Sequence, residues 1–165
     1  MATRRTFLLT GAAGLAALVI GFPPGPRGPA RAAGGPAVMP DDRQWRARLS
    51  PAQYRILREE GTEPPFSSPL NDQHGSGIFA CAGCTQALFS SAAKFDSHTG
   101  WPSFWQAMEK AVGTRTDNSF GMTRTEVHCT RCGGHLGHLF DDGPGPTGLR
   151  YCINGLALSF LPAPA

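Results

Sequence analysis

The sequence predicts a mainly β domain of the small α+β kind, with short antiparallel strands behind N-terminal helical structure. Three observations carry this. The apolar runs after residue 61 are short, "GIFAC", "QALFSS", "TEVHC", "HLGHLF" and "YCINGLALSF", and Gly, Pro, Asp or Ser interrupts the chain every several residues. One segment before them carries a clear helix start. Two C-x-x-C pairs, "CAGC" at 81–84 and "CTRC" at 129–132, offer a clip between distant parts of the chain.

In chain order, residues 1–22 open with Arg4 and Arg5 and continue as an Ala/Gly/Leu-rich run without charge. That run is too short and too weakly apolar for a convincing membrane span. The prolines that follow and the small residues at Ala30 to Ala32 read as the end of a cleaved export signal of the twin-arginine type. The expectation is therefore a signal over 1–32, a linker over 33–40, and a single domain over 41–165. The mature protein would be periplasmic or otherwise extracytoplasmic, without a stable membrane anchor. A disordered basic tail and a plain anchor are the alternatives.

Of fifteen Lys and Arg, four (Arg4, Arg5, Arg27, Arg31) lie in the leader, which has no acid. The remaining eleven face twelve Asp and Glu, a formal charge of −1. Nucleic-acid binding thereby loses its electrostatic support. Residues 51–60 predict a helix: Ser50 caps it, Pro51 suits its first turn, Gln53 completes the capping box, and Gly61 stops it.

Four cysteines in two C-x-x-C pairs suit a tetrahedral zinc ion, each pair supplying one edge. Gly83 and Gly133-Gly134 would permit the tight turns. The pairs lie 44 residues apart, so Cys81, Cys84, Cys129 and Cys132 would join distant segments. With all four corners filled, such an ion would stabilise the fold and not catalyse. Disulfides or a redox centre are the alternatives.

Cys152 is then the one cysteine left over. If 151–160 is a strand, alternation sets Cys152 and Asn154 on one face with Leu156, Leu158 and Phe160. An inert core cysteine would fit that face too. Arg150 lies close enough in sequence to help a thiolate, and His135 and His138 could exchange protons near neutral pH. Either histidine could equally be structural, solvated or a metal ligand.

The motifs "GTEPPF" (61–66), "CAGC", "GWPSFW" (100–105), "MTRTEV" (122–127), "CTRC", "HLGHLFDDGP" (135–144) and "RYCING" (150–155) occur in one order. Through them the chain resembles the peptide methionine-R-sulfoxide reductases, the MsrB family, over roughly residues 45 to 162. The resemblance implies two antiparallel sheets in a β-tent, a few N-terminal helices and a four-cysteine structural zinc site. It implies thiol-dependent reduction of methionine-R-sulfoxide in oxidised proteins. Nothing in the sequence suggests an extended interface, so a monomer is the expectation. Cys152 would be the nucleophile, His138 the proton donor, with His135 and Asn154 completing the polar wall. Trp101 would pack the substrate's methyl group, although a lone tryptophan more often belongs to a core. Arg150, Glu126, Asp142 and Arg124 match supporting positions.

One departure bears on the cycle. Many members carry a resolving cysteine where this sequence reads "SHTGWPSF", with His98 and Thr99. The resemblance then implies that a sulfenic acid on Cys152 is reduced by an external thiol, a thioredoxin-like protein or another donor. Two readings from other classes stand beside it. A non-catalytic zinc-knuckle binding module predicts an unreactive Cys152; a Cys/His hydrolase predicts an acyl-enzyme and no need for reductant.

Overall fold

The computed structural model describes residues 39–164; the expected leader and nearly all of the expected linker lie outside them. Two helices come first, α1 (Asp42–Arg48) and α2 (Pro51–Glu59). Nine strands follow: β1 (Gly77–Cys81), β2 (Ala87–Ser90), β3 (Lys94–Phe95), β4 (Ser103–Phe104), β5 (Val112–Asp117), β6 (Arg124–Cys129), β7 (His135–Phe140), β8 (Arg150–Ile153) and β9 (Leu158–Pro162). They form a three-stranded sheet ordered β2-β1-β9 and a six-stranded sheet ordered β3-β4-β8-β7-β6-β5. Every pairing is antiparallel. Among the described residues no helix is long and apolar enough to cross a membrane.

The helix starts follow from capping. Ser50 and Gln53 satisfy each other's backbone N–H groups at the head of α2, and Asp41 and Gln44 do the same for α1. The second box is equally present in the sequence. The stop of α2 differs from expectation: Glu60 takes the left-handed turn (φ 54°), and Gly61 follows. Gly61 is needed for space instead, because a Cβ there would lie 2.9 Å from the Arg55 carbonyl oxygen that accepts its N–H.

The core lies where the sheets and α2 meet. Phe79, Phe89 and Phe104 are fully buried, with Phe89 stacked on Phe104 at 4.4 Å and Phe79 edge-on to it at 5.0 Å. Ile56, Leu57, Leu88, Val127, Leu136, Ile153 and Leu158 complete the cluster.

The segment 151–160 is not one strand. β8 ends at Ile153, a 3-10 turn spans Gly155–Ala157, and β9 joins the other sheet. The cause is Glu63, whose two carboxyl oxygens accept the N–H groups of Gly155 and Leu156. Ser68 packs so tightly there that a Cβ on Gly155 would fall 1.9 Å from its Oγ. Bending the chain here feeds both sheets from one short stretch.

Candidate active site and metal centre

Strand register assembles the site. Arg115 pairs with Glu126, Glu126 with His138, His138 with Cys152, and Cys152 with Ser103, a row across five strands. Directly opposed residues of antiparallel strands share a face, with Cβ atoms about 5 Å apart. His138 and Cys152 are therefore neighbours because β7 and β8 are in this register. Two residues further along, on the same face, Asp117 pairs with Arg124. Tyr151 and Ile153 take the opposite face, as alternation predicts, and pack with the core.

A cavity of about 130 Å³ opens over this face, lined by Thr62, Trp101, Arg124, Gly137, His138, Phe140, Cys152 and Asn154. It brings together five residues singled out from the sequence: Cys152, His138, Asn154, Trp101 and Arg124. His135 and Glu126 instead line a neighbouring cavity, where His135 Nδ1 lies 2.7 Å from Glu126 Oε1. Glu126 also pairs with Arg115. Burial holds the His135 ring below its ordinary pKa, against the pull of Glu126, so it is neutral at pH 7. Arg150 and Asp142 form a two-pronged ion pair, both contacts at 2.8 Å, beside the cavity and not in its wall.

Cys152 is half-buried, and burial raises its pKa above the ordinary thiol value. The Thr99 hydroxyl, 3.9 Å from its sulfur, and then the Arg150 charge oppose that rise. The resting group is thus a thiol carrying its proton. Site-resolved iodoacetamide labelling of Cys152 is expected to accelerate with pH, with a midpoint above that of an exposed cysteine. Thr99→Val should move that midpoint higher, since it removes a hydrogen bond to the thiolate. Thr99 is held in turn by Ser97 at 2.8 Å, and Ser97 by Ser103 at 2.7 Å.

Two residues missed in the sequence organise the site. Glu63, 2% exposed, donates its N–H to Asn154 Oδ1, and its carbonyl oxygen accepts the Trp101 indole N–H at 3.1 Å. Asn154 Nδ2 donates to Leu136 O at 3.0 Å, so its amide is engaged at both ends and braces the cavity floor. Asp117 Oδ2 lies 2.8 Å from His138 Nε2 and 2.6 Å from Arg124. Ser119 binds its other oxygen through a backbone N–H; the Ser119 side chain and that N–H, then His138 and Arg124, hold the Asp117 carboxyl well below the usual carboxylate range. The only sequence signal for Glu63 was its place in "GTEPPF"; for Asp117 it was an acid at the end of a polar strand.

The four paired cysteines meet, with all sulfurs within 4.8 Å of one another and buried or half-buried. Cys81 and Cys132 sulfurs are 3.7 Å apart, and Cys84 and Cys129 sulfurs 3.6 Å. A tetrahedral ion with metal–sulfur bonds of about 2.3 Å separates its ligands by about 3.8 Å, so the donor set fits such a metal. Each knuckle repeats one pattern: the first cysteine accepts from the residue four on and donates to the carbonyl five on. Thr85 (φ 59°) and Gly133 (φ 65°) supply the left-handed turn in each. Gly83 is not the turning residue; a Cβ there would stand 3.4 and 3.6 Å from Trp45 and Leu57, ordinary contact distances.

Comparison with known proteins adds to this geometry. The SelR domain family matches residues 49–162. Similar proteins include three called peptide methionine sulfoxide reductase MsrB. That of Thiobacillus denitrificans is 62% identical over 122 residues, 73% of this chain and 92% of the relative. That of Bradyrhizobium diazoefficiens is 57% identical over 126 residues, 76% and 91% of the two chains. That of Agrobacterium fabrum is 51% identical over 128 residues, 77% and 95%.

Proposed function

The chain belongs to the SelR-domain family of MsrB-type methionine sulfoxide reductases, and from that membership we propose which residues carry the reaction. The substrate is methionine sulfoxide in oxidised proteins, the R epimer, and the electrons come from a thiol. Cys152 is the nucleophile and His138 the proton donor. The observation that carries this reading is their cross-strand pairing at one cavity, beside the Trp101 indole.

The chemistry balances on these groups. Cys152 sulfur attacks the sulfoxide sulfur while His138 gives its proton to the oxygen; the hydroxyl passes to Cys152, and the thiol's own proton is released to recharge His138. The net exchange is thiol plus sulfoxide giving sulfenic acid plus thioether: the substrate sulfur gains two electrons and Cys152 loses two. A resting thiol suits this step, because the proton it carries restores the one His138 gives. Trp101 is the surface for the S-methyl group, its ring fixed by the Glu63 carbonyl. Arg150, anchored by Asp142, faces the thiolate as it forms; Glu126 braces His135 behind His138.

Regeneration needs two external thiols, which leave as a disulfide with release of water. The other four cysteines sit in the metal centre, and Thr99 occupies the wall facing Cys152. Thr99→Cys is therefore expected to convert the cycle: after one turnover without reductant, mass mapping should find an intramolecular disulfide to Cys152. The parent protein should instead stop at the sulfenic acid.

Cys81, Cys84, Cys129 and Cys132 would hold zinc, which with all four positions taken by protein thiolates would supply stability alone. Residues 1–32 direct export through the twin-arginine route, 33–40 link, and 41–165 act as a monomeric catalytic domain. Arg4 and Arg5 before an uncharged run support this, and replacing both with Lys should block export.

The deciding experiment offers R and S epimers of a methionine-sulfoxide peptide to the protein in excess thiol, beside Cys152→Ser. Turnover of the R epimer alone, abolished in the variant, is expected. Residual turnover in Cys152→Ser would sink the assignment.

A further inference from the structure

His138 enters the reaction through one ring nitrogen, and the structure constrains which. Nε2 lies 2.8 Å from Asp117 Oδ2. That carboxylate already accepts from Arg124 and from the Ser119 backbone, and it is ionised, so it can only accept. Nε2 must therefore carry a proton and donate it to Asp117. Among the described residues Nδ1 has no hydrogen-bond partner, and the ring lines the cavity beside Cys152.

We propose that Asp117 is a positioning residue for His138, fixing one proton on Nε2 so that Nδ1 faces the sulfoxide oxygen and protonates it. The inference rests on the assignment of His138 as donor. A neutral ring with its proton on Nε2 has nothing to give from Nδ1. The donor is thus the doubly protonated ring, which gives up the Nδ1 proton and returns to the neutral tautomer still bonded to Asp117. Asp117 supplies the anchor that keeps the ring from turning. It touches neither substrate nor sulfur.

Other groups around the ring are Arg115 from β5, Arg124 and Glu126 from β6, and His135 from β7. Cys152 and Arg150 lie on β8, and Glu60 follows α2. Arg115 is matched by Glu60 and Glu126, and Arg150 by Asp142. Arg124 is matched by Asp117 itself, at 2.6 Å. Replacing Asp117 with a neutral residue therefore leaves Arg124 unopposed beside His138, which strengthens the expected effect.

The test is steady-state reduction of a methionine-R-sulfoxide peptide with dithiothreitol across pH, for the full protein, Asp117→Asn, Asp117→Glu and His138→Gln. Asp117→Asn is expected to lower kcat about a hundredfold, as for loss of general-acid function, with KM little changed. Asp117→Glu, which keeps a carboxylate acceptor for Nε2, should restore most of kcat. Adding Asp117→Asn to His138→Gln should cost nothing further. If His138→Gln fails while Asp117→Asn keeps full kcat, the inference falls and the donor assignment stands. If His138→Gln is fully active, the donor assignment itself falls. Should Asp117→Asn not fold, nitrogen-15 NMR of the unaltered protein above neutral pH decides. A proton on His138 Nε2 supports the inference, and a proton on Nδ1 overturns it.

Discussion

Cys129→Ser is expected to lower the melting temperature by at least about 20 °C, or to leave no cooperative transition. Cys129 is fully buried at the end of β6, and Cys81 is fully buried at the end of β1, so the four thiols join the two sheets. Structural zinc bound by four thiolates contributes about 10–16 kcal/mol in small domains, as much as the whole stability of a typical one. Without a metal the same cluster holds four polar groups in the protein interior with only each other as partners. Removing one ligand would forfeit such an ion and leave three crowded thiols. The measurement is circular dichroism with temperature, beside metal content per chain. An unchanged melt in protein shown to be metal-free would remove the metal from any account of this fold.

The second large effect is expected at Glu63. Glu63→Ala leaves the buried N–H of Gly155 and the part-buried N–H of Leu156 without acceptors, at about 1–3 kcal/mol each. A total near 3–5 kcal/mol corresponds to roughly 10–20 °C in melting temperature for a domain of this size. The same change frees the 3-10 turn after Cys152 and loosens the loop whose backbone holds Asn154 and Trp101. Activity is therefore expected to fall further than stability explains, by about a hundredfold in kcat/KM at temperatures where the variant is folded. Glu63→Gln retains one acceptor and should lie between. A Glu63→Ala variant with unchanged melting and kinetics would show that water replaces the carboxylate without penalty.

How much of this was legible follows from how far each signal reaches along the chain. The capping box of α2 is complete within Ser50 to Gln53, and the helix begins as predicted. The same is true of Asp41 and Gln44, a local signal the sequence held although α1 was not anticipated by its residues. The apolar strands appear where short runs predict them, whereas β5, "VGTRTD", is too polar to announce itself and is defined by its partner β6. Ligand spacing within each C-x-x-C pair is local chemistry, so the cluster of four cysteines was foreseeable. The break at Asn154 was not, because the carboxylate that imposes it lies 92 residues away from Gly155.

By itself, the sequence determined the helix starts, the paired cysteines, the odd thiol at Cys152 and, through ordered motifs, the family. Each of these is written in neighbouring residues. Only the tertiary structure decided that His138 stands opposite Cys152, that Asp117 holds the far side of its ring, and that His135 turns away to Glu126. Those facts depend on strand register, which is set by the packing of two sheets around Phe79, Phe89 and Phe104 and not by any local preference.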